Sequence, residues 1–301
     1  MAPPTSSEPK VWLITGCSSG FGREIALAAL AHGDLVIATA RNAATLQQLE
    51  LLGATIMALD LTQSDEEVAA IVAQAVEVHG RIDILMNNAG FYLSGAVEEC
   101  SSQEVSEIFE TNVFGTLKVT RAVLPYLRKQ RSGVVANMGS LSGRLGMMNM
   151  GLYGATKFAL AGLSLALRGE VAHLGVEVTL IEPGLFRTKA MGANAHRAKK
   201  EINEGMEIVM QPWKEHLATI SGNESGDPAK AGKLIVEVLT KSGCAAGKTL
   251  PARLAIGQDA VFTIKAVLAQ DTKEQEEWAP FVTGTDFDGE KSVVEGETSS
   301  K

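Results

Sequence analysis

Short apolar runs alternate with longer helical patterns along most of the chain. Most of the short runs are apolar at nearly every position, which is typical of strands that helices cover on both faces. The strands we predict are Val11–Thr15, Leu35–Thr39, Thr55–Leu59, Ile82–Met86, Val134–Met138 and Val176–Ile181, with a seventh near Thr249–Leu250. Strands that alternate with helices form repeated β-α-β units, so the pattern predicts an α/β fold with one doubly wound parallel sheet.

The helical patterns lie between these strands and would cover both faces of the sheet. Their predicted bounds are Phe21–His32, Ala43–Leu52, Asp65–His79, Ser102–Phe109, Val113–Arg131, Tyr153–His173 and Pro228–Lys241. We therefore expect one domain over residues 11–270, after a flexible N-terminus of residues 1–10. Residues 185–227 interrupt the alternation, and an insertion of this length in a compact domain predicts a substrate loop.

The composition indicates a globular protein, because 46% of the 301 residues are hydrophobic and 21% are charged. It excludes collagen-like, disordered and disulfide-scaffold chains. The formal net charge of −8 argues against a nucleic-acid partner, since such proteins carry basic stripes that replace the counterions of phosphates. Nine acidic and three basic residues lie in residues 271–301, so the acidity belongs mainly to this C-terminal end, which we expect to be mobile from residue 284.

Cysteine use and the length of the apolar runs bear on the location of the protein. Cys17, Cys100 and Cys244 are widely separated and lack the paired spacing of a zinc site, which indicates a reducing compartment and no metal. The N-terminus has no basic segment followed by an apolar core. The longest apolar runs, such as Ile25–Ala31, are far shorter than the roughly 20 residues that span a bilayer. We therefore expect a cytoplasmic protein without a membrane span.

A glycine-rich turn, Thr-Gly-Cys-Ser-Ser-Gly-Phe-Gly at residues 15–22, follows the first strand and opens the first helix. Backbone N–H groups at a helix N-terminus bind a dinucleotide pyrophosphate when no Cβ blocks the approach. Gly16, Gly20 and Gly22 would supply the tight turn, the close approach and the packing of helix on strand. Ser18, Ser19 and Phe21 complete the predicted set. A tight connection without a ligand is the alternative for such a turn considered alone.

The residues after the second and third strands bear on which dinucleotide binds. A NAD site usually ends the second strand with Asp or Glu, which binds the adenosine ribose and repels a 2′-phosphate. Here Ala40 and Arg41 follow, and a guanidinium pairs well with a phosphate, so NADP(H) is the predicted cofactor. A solvated surface position is the alternative for Arg41. Asp60 and Leu61 would border the adenine, with a cap or turn as the alternative role of Asp60.

Tyr153 and Lys157 are four residues apart in a helical pattern, so they share one face of the helix. An ammonium favours the phenolate, so Lys157 is expected to lower the pKa of Tyr153 from its ordinary value of about 10. Ser140 follows the fifth strand, at the edge where ligands of open α/β sheets bind. Ser142 is a weaker candidate for that position. A half-buried Tyr beside an exposed Lys is the alternative for the pair alone.

Together these motifs resemble those of the short-chain dehydrogenases/reductases, the type with a single Rossmann domain. The resemblance covers nearly all of residues 11–255 and follows the order of the family's motifs. Those motifs are the glycine turn 15–22, Asn87-Asn88-Ala89-Gly90, Asn112, Ser140, Tyr153 with Lys157, and Pro183-Gly184 with Thr188. Residues 182–188 and 250–254 are most similar to fungal and other microbial members near the retinol and hydroxysteroid dehydrogenases.

The resemblance implies a role for each of these residues. Ser140 would stabilise the substrate oxygen, Tyr153 would be the general acid or base, and Lys157 would lower the pKa of Tyr153 and bind the nicotinamide ribose. Asn112 would interrupt its helix and hold a water that links Lys157 to solvent. The cofactor contacts it implies are Asn88, Ala89, Gly90, Pro183, Gly184, Phe186 and Thr188, besides Tyr153 and Lys157. It also implies a homodimer or homotetramer that pairs helices 113–131 and 153–173.

The substrate side of the predicted site is rich in adaptable apolar residues. They are Phe91 and Tyr92 after the fourth strand, Met147, Met148 and Met150 before Tyr153, and Met191, Met206, Met210 and Trp213 in the inserted loop. Core packing is the alternative for each of them alone. Together they predict a lipophilic carbonyl or secondary-alcohol substrate, and Arg144 and Arg187 leave an anionic substrate open.

We therefore expect an NADP-dependent oxidoreductase that interconverts a ketone and a secondary alcohol, working as a ketoreductase. Two alternatives stay open. A catalytically silent NADP-binding regulator would need the glycine turn but not Asn112, Ser140, Tyr153 and Lys157. An epimerase or dehydratase on the same fold would oxidise its substrate transiently and hold NAD tightly.

Overall fold

The computed structural model describes residues 8–190, 192, 195–202, 204–285 and 287, except for the side chain of Val209. Met191, residues 1–7 of the predicted flexible N-terminus, and residues 286 and 288–301 of the predicted mobile end lie outside the described residues. The strands of the described part are β1 (Val11–Ile14), β2 (Leu35–Ala40), β3 (Thr55–Ala58), β4 (Ile84–Asn87), β5 (Leu93–Ser94), β6 (Gly133–Met138), β7 (Val176–Pro183), β8 (His196–Arg197) and β9 (Arg253–Ile256).

Seven of these strands form one parallel sheet in the order β3-β2-β1-β4-β6-β7-β9. Every pair in it is parallel, with registers such as Leu13 opposite Leu85 and Asn87 opposite Asn137. The chain first winds outward from β1 to β3 and then crosses back to β4, so the strand order reverses between β1 and β4. Ligands of open α/β sheets bind at such a reversal, beyond the carboxyl ends of the strands.

Helices cover both faces of this sheet, which confirms the predicted fold class. The α-helices are α1 (Gly20–His32), α2 (Gln47–Leu51), α3 (Asp65–His79), α4 (Ser102–Phe109), α5 (Thr116–Gln130), α6 (Gly151–Val171), α7 (Glu207–Ile220), α8 (Pro228–Leu239) and α9 (Gln258–Val282). Within the described part of the chain, no helix is both long and apolar enough to cross a membrane.

The near-continuous apolar strands are explained by a hydrophobic core on each face. Along β1, Trp12 and Ile14 join the core under α1 and α8, whereas Val11 and Leu13 join the core under α3 and α5. All four side chains are at most 1% exposed. Successive side chains of a strand point to opposite faces, so a strand between two helical layers needs apolar residues at every position.

The predicted bounds of α3, Asp65–His79, match the structure because the sequence carries explicit end signals. The Ser64 hydroxyl accepts a hydrogen bond from the Glu67 N–H at 3.2 Å, and Glu67 Oε2 accepts one from the Ser64 N–H at 2.9 Å. This capping box satisfies two N–H groups that the helix itself cannot pair. At the other end Gly80 adopts a left-handed conformation with φ of 76°.

The structure corrects several predicted elements. The seventh strand is β9 at Arg253–Ile256, not near Thr249–Leu250, because Pro251 has no N–H for the ladder and pairing with β7 begins at Arg253. The helix predicted at Ala43–Leu52 is a 3₁₀ turn, Ala43–Leu46, followed by the short α2. The inserted loop contains α7 and the two-residue strand β8, neither of which was predicted.

A long C-terminal helix was also missed. α9 continues through position 270, where we had placed the end of the domain, and into the acidic segment. Only Ala260 and Ile264 of its side chains are buried, so the sequence of α9 lacks the regular apolar stripe that marks a helix packed along its whole length.

Candidate active site

The glycine turn presses closely against the end of β4. Gly16 and Gly20 have φ angles of 72° and 56°, a region that side chains with a Cβ rarely adopt. A Cβ on Gly16 would lie 2.8 Å from the Cα of Ala89, and one on Gly22 would collide with the carbonyl oxygen of Gly16 and the Nδ2 of Asn88. The structure therefore requires glycine at these positions and leaves the backbone of the turn open, which is what a pyrophosphate needs.

Thr15 and Asn88 fasten the turn to β4. The Thr15 hydroxyl oxygen accepts hydrogen bonds from the N–H groups of Asn88 and Ala89, both at 3.0 Å. The Asn88 amide donates back to the carbonyl oxygens of Thr15 at 2.9 Å and Gly16 at 3.1 Å. This role of Thr15 was missed, since it depends on a neighbour more than seventy positions away.

The N-terminus of α1 suits an anion. The first turn of the helix contains no acidic residue, and Ser18 is exposed beside it. An uncompensated helix N-terminus carries partial positive charge that attracts phosphate. Together with the glycines, this geometry fits a dinucleotide pyrophosphate.

Arg41 stands directly after β2 and is exposed. It forms no ion pair or hydrogen bond within the described residues, so its guanidinium is available to a ligand. Asp60 is more constrained, because its Oδ1 accepts hydrogen bonds from both the N–H and the hydroxyl of Thr62, at 3.0 and 2.8 Å. The turn role left open for Asp60 is therefore present. Leu61 is buried and packs against Gly115, where a Cβ would lie only 2.5 Å from that of Leu61.

The segment after β7 bends back over the glycine turn. The rings of Phe186 and Phe21 pack edge to face with centroids 5.1 Å apart. The Thr188 side chain would contact a Cβ placed on Gly20, at 3.6 Å. Residues 183–188 and the glycine turn, both predicted to touch the cofactor, thus lie together and form two sides of one cradle.

Asp259, at the start of α9, holds this bend and was missed by the sequence. Its Oδ2 accepts a hydrogen bond from the Leu185 N–H at 2.6 Å. A Cβ on Gly184 would collide with the same carboxylate. The tight Pro183-Gly184 turn therefore accommodates a carboxylate from a distant helix.

Ser140, Tyr153 and Lys157 converge at the carboxyl end of β6. The hydroxyls of Ser140 and Tyr153 interact, and the Lys157 ammonium lies 5.6 Å from the centre of the Tyr153 ring. Lys157 is only 5% exposed, and its Nζ donates a hydrogen bond to the carbonyl oxygen of Met138 at 2.7 Å. The structure thus brings together the three residues that the spacing predicted to meet.

The protonation of these groups differs from the expectation. Burial raises the pKa of Tyr153 to about 12, although the nearby Ser140 hydroxyl opposes this shift. We had expected Lys157 to lower that pKa, but the loss of hydration outweighs any such effect in the protein without cofactor. Burial also lowers the pKa of Lys157 to about 8. At neutral pH Tyr153 is therefore a protonated phenol that can donate.

Ser142 does not compete with Ser140 for the central position. Its N–H donates to the Ser140 hydroxyl oxygen at 3.1 Å, and its own hydroxyl lies 3.5 Å from the sulfur of Met147. Ser142 is 3% exposed, whereas Ser140 is only partly buried. Ser140 therefore offers the accessible hydroxyl.

Asn112 interrupts its helix as a π-helical turn, Glu110–Gly115, between α4 and α5. Its amide pairs with the backbone of Phe91 in both directions, at 2.9 Å each, and donates to the Thr156 hydroxyl at 3.2 Å. π-turns occur frequently at functional sites. Asn112 is 1% exposed and connects the loop after β4 to the helix that carries Tyr153 and Lys157.

The aromatic and methionine side chains predicted for the substrate side differ in their surroundings. The Tyr92 ring packs edge to face on Tyr153, with centroids 5.3 Å apart. Met150 and Met210 are buried, whereas Met148 is about half exposed. The strand β8 pairs in parallel with β5, and the His196 N–H donates to the Tyr92 carbonyl oxygen at 3.0 Å.

The two arginines considered for an anionic substrate already have protein partners. Arg144 forms an ion pair with Glu182, with Nη2 3.0 Å from Oε2. The Arg187 guanidinium donates to the Glu224 carbonyl oxygen at 3.1 Å. The structure thus gives the sequence hint of an anionic substrate no support.

A polar link inside the sheet was also missed. On the neighbouring strands β4 and β6, the Asn87 amide donates to Asn137 Oδ1 at 2.8 Å and to the Thr120 hydroxyl at 2.9 Å. The Asn137 amide in turn donates to the Ser164 hydroxyl of α6 at 2.9 Å. One asparagine in each of two otherwise apolar strands was the available signal for this contact.

Comparisons with known proteins agree with this geometry. Residues 10–199 match the family model described as short chain dehydrogenase. An oxidoreductase of Botryotinia fuckeliana, BOA17, is 37% identical over 256 residues, 84% of this chain and 90% of the relative. A 3-ketodihydrosphingosine reductase of Bacteroides thetaiotaomicron is 35% identical over 237 residues, 78% of this chain and 85% of the relative.

A solved structure is similar over nearly the whole chain. The short-chain dehydrogenase of Streptomyces avermitilis is 40% identical and superimposes with a TM-score of 0.83, covering 93% of this chain and 100% of its own. The matched motifs, the sheet order and these similarities agree, and the chain belongs to the short-chain dehydrogenase/reductase family of oxidoreductases.

Proposed function

We propose that this protein is an NADP-dependent ketoreductase that interconverts a lipophilic ketone and a secondary alcohol. The observation that carries the proposal is the convergence of Ser140, Tyr153 and Lys157 beyond β6, on the same edge of the sheet as the open glycine turn. A regulator that only senses NADP would have no use for this acid–base set.

The residues suggest how the reaction proceeds. The bound nicotinamide supplies the hydride to the carbonyl carbon. The Ser140 hydroxyl donates a hydrogen bond to the carbonyl oxygen and stabilises the negative charge that develops there. Tyr153 gives its proton to the same oxygen, and the buried Lys157 ammonium stabilises the phenolate that remains. A pKa of about 12 keeps Tyr153 protonated before the reaction, which supports the reducing direction.

The proposed preference for NADP rests on Arg41 and on the lack of an acidic residue at the end of β2. The last residue of β2 is Ala40, so no carboxylate stands where one would bind the ribose hydroxyls and repel a 2′-phosphate. The exposed guanidinium of Arg41 can form a bidentate pair with that phosphate. The remaining contacts proposed for the cofactor come from the glycine turn, residues 88–90 and residues 183–188.

The lipophilic substrate class rests on the side chains around Tyr153. Tyr92 packs on the ring of Tyr153, Met147 contacts the Ser142 hydroxyl, and Met150 directly precedes α6. Met210 and Trp213 come from the inserted loop. Methionine side chains adapt to ligands of varied shape. The relative from Bacteroides thetaiotaomicron, named a 3-ketodihydrosphingosine reductase, supports a long apolar ketone.

Turnover with purified protein tests this proposal. NADPH or NADH would be mixed with aromatic, steroidal, polyketide and retinoid carbonyls, and loss of reduced nicotinamide absorbance would be followed. We expect turnover with NADPH on at least one ketone. NADPH binding without turnover on the whole panel would favour the silent regulator, and copurified NAD without net turnover would favour an epimerase or dehydratase.

We also propose a homodimer or homotetramer in the cytoplasm, paired through α5 with its preceding π-turn and through α6. Phe114 in the π-turn and Phe158 and Leu165 on α6 are 44–49% exposed, although large apolar side chains favour burial. Light scattering of the purified protein would measure the mass of the assembly. A monomer at micromolar concentration would contradict the proposed assembly.

A further inference from the structure

Three charged residues form a cluster next to the turn that follows Ser140: the buried Glu182, and Arg144 and Arg253, whose side chains are 20% and 18% exposed. Glu182, near the end of β7, is 0% exposed. Arg144 pairs with it through Nε, 3.1 Å from Oε1, and through Nη2, 3.0 Å from Oε2. Arg253, on β9, pairs with it through Nε, 3.1 Å from Oε2, and through Nη2 to Oε1. One carboxylate thus holds two guanidinium groups, and its oxygens are fully used.

The cluster reaches the turn that carries Ser140. Arg253 Nη2 also donates to the carbonyl oxygen of Gly143 at 3.2 Å. Gly143 ends the 3₁₀ turn Leu141–Gly143, which Ser140 caps, and its N–H donates to the Ser140 carbonyl oxygen at 2.9 Å. Arg144 continues the same turn, with its N–H 3.0 Å from the Leu141 carbonyl oxygen. Both arginines therefore hold the turn. Arg253 reaches it from β9, whereas Arg144 directly follows the turn and ties it to Glu182.

The same turn lies directly on α6. A Cβ on Gly143 would be 3.0 Å from the Lys157 carbonyl oxygen, so the turn cannot move closer to the helix. The Gly154 position is similarly tight, since a Cβ there would lie 3.2 Å from the Ser142 carbonyl oxygen. The cluster holds the same turn through residues of β7 and β9. Between them, these contacts set the distance from the Ser140 hydroxyl to that of Tyr153.

Stability alone is a poor reason for such a cluster. Burying a carboxylate such as that of Glu182 is unfavourable, and well-packed apolar residues of similar size are often as stabilising as a buried ion pair. What a planar guanidinium adds is fixed, directional hydrogen bonding to more than one acceptor. Arg253 uses this property to bridge Glu182 and the turn.

We propose that Arg253, held by Glu182, is a positioning residue that places the Ser140 hydroxyl for the reaction, which rests on the reductase function proposed above. It touches neither substrate nor cofactor and acts through the carbonyl oxygen of Gly143. A misplacement of about 1 Å in a reacting group can cost about 100-fold in rate, so this link affects kcat more than binding.

Arg253→Lys tests the link, because lysine keeps the charge but cannot bridge both acceptors with a planar fork. We expect kcat to fall about 10- to 100-fold with little change in the KM for NADPH. In a Ser140→Ala background, the same change should cost no further activity, since the residue it positions is gone. An equal loss in both backgrounds would overturn the proposal.

Arg168→Lys is the matched control. Arg168 is also partly buried and donates to backbone carbonyl oxygens, those of Val178 at 2.6 Å and Leu250 at 2.9 Å, but it does not contact the serine turn. We expect it to lower stability without the selective loss of kcat. If Arg253→Lys does not fold, the triple change Arg144→Met, Glu182→Leu and Arg253→Met removes every charge of the cluster and should fold, bind NADPH and still lose kcat.

Hydrogen exchange separates this inference from the proposed function. Arg253→Lys should speed amide exchange in residues 140–144, where the Gly143 N–H is bonded, and Arg168→Lys should not. This readout needs no turnover. If the native protein transfers no hydride, the proposed reductase function fails while exchange still decides whether Arg253 holds the turn. Unchanged exchange in residues 140–144 would overturn the positioning role.

Discussion

Lys157 donates a hydrogen bond to the carbonyl oxygen of Met138 at 2.7 Å, which ties the helix of the proposed acid to the last residue of strand β6. The ammonium is thereby held in a buried place, and its pKa falls from 10.5 to about 8. One backbone oxygen compensates only part of the hydration that the ammonium loses on burial. Burial thus raises the free energy of the folded protein when Lys157 is protonated.

This cost predicts how stability depends on pH. Between about pH 8 and pH 10 the unfolded chain keeps the Lys157 proton that the folded chain has lost, so stability rises with pH. We expect native protein without cofactor to gain about 2 kcal/mol relative to Lys157→Met over this range. Urea unfolding at both ends of the range measures the difference. Tyr153 has the opposite effect only above pH 10, where its unfolded form ionises.

Lys233→Met provides the control for that experiment. The side chain of Lys233, on α8, is 78% exposed, so its charge is hydrated in both states. We expect the difference between native protein and this variant to stay constant over the same pH range. If the difference in unfolding free energy between native protein and Lys157→Met also stayed constant with pH, the Lys157 ammonium would not be buried.

Tyr153→Phe removes the proposed proton donor and little else. Turnover should fall by at least about 100-fold, as expected for loss of a general acid. NADPH binding, measured by fluorescence, should stay nearly intact. Tyr126→Phe, on the far helix α5, makes the same chemical change outside the site and should leave turnover unaltered. Substantial activity in Tyr153→Phe would exclude this residue as the acid.

Arg41→Asp should move the cofactor preference from NADPH toward NADH. The change removes a charge-assisted pair and adds repulsion against the 2′-phosphate, which together correspond to about 10- to 100-fold in kcat/KM for NADPH. Arg41→Gln serves as the matched variant, since it removes the attraction without adding repulsion and should give a smaller shift. Selectivity that does not change in either variant would place Arg41 outside the site.

Gly22→Ala should abolish NADPH binding and destabilise the fold. A Cβ at this position collides with the Gly16 carbonyl oxygen and the Asn88 amide, so the glycine turn has to open. The matched control is Gly169→Ala on α6, where a Cβ meets nothing within 4 Å. That change should instead stabilise the helix by about 0.5–1 kcal/mol. Thermal unfolding and NADPH titration distinguish the two; intact binding in Gly22→Ala would contradict the proposed cradle.

Much of the fold follows from local signals. The strands are recognisable because both faces are buried, as at Trp12 and Leu13, and the ends of α3 are marked by Ser64 and Gly80. α9 was not predicted because its described residues bury only two side chains, so its sequence has no repeating apolar stripe. β5 and β8 contain two residues each, too few for any alternation.

The residues of the candidate site also fall into those that a local pattern predicts and those that it does not. Tyr153 and Lys157 are found from spacing, since a helix places them on one face. The contributions of Thr15, Arg253 and Asp259 depend on partners far away in the chain, which no local pattern indicates. The direction of the Tyr153 pKa shift also depends on how deeply the phenol is buried, and spacing carries no information about burial.

The π-helical turn at Asn112 absorbs one extra residue without disturbing α5. A π-turn holds one more residue than a regular turn, so the following helix keeps the orientation that it would have after an unbroken helix. Deleting one residue within Glu110–Gly115 would therefore restore an ordinary helix and leave Val119 and Val123 in the core that they now fill. Such a deletion should preserve the fold but displace the Asn112 amide from Phe91 and Thr156.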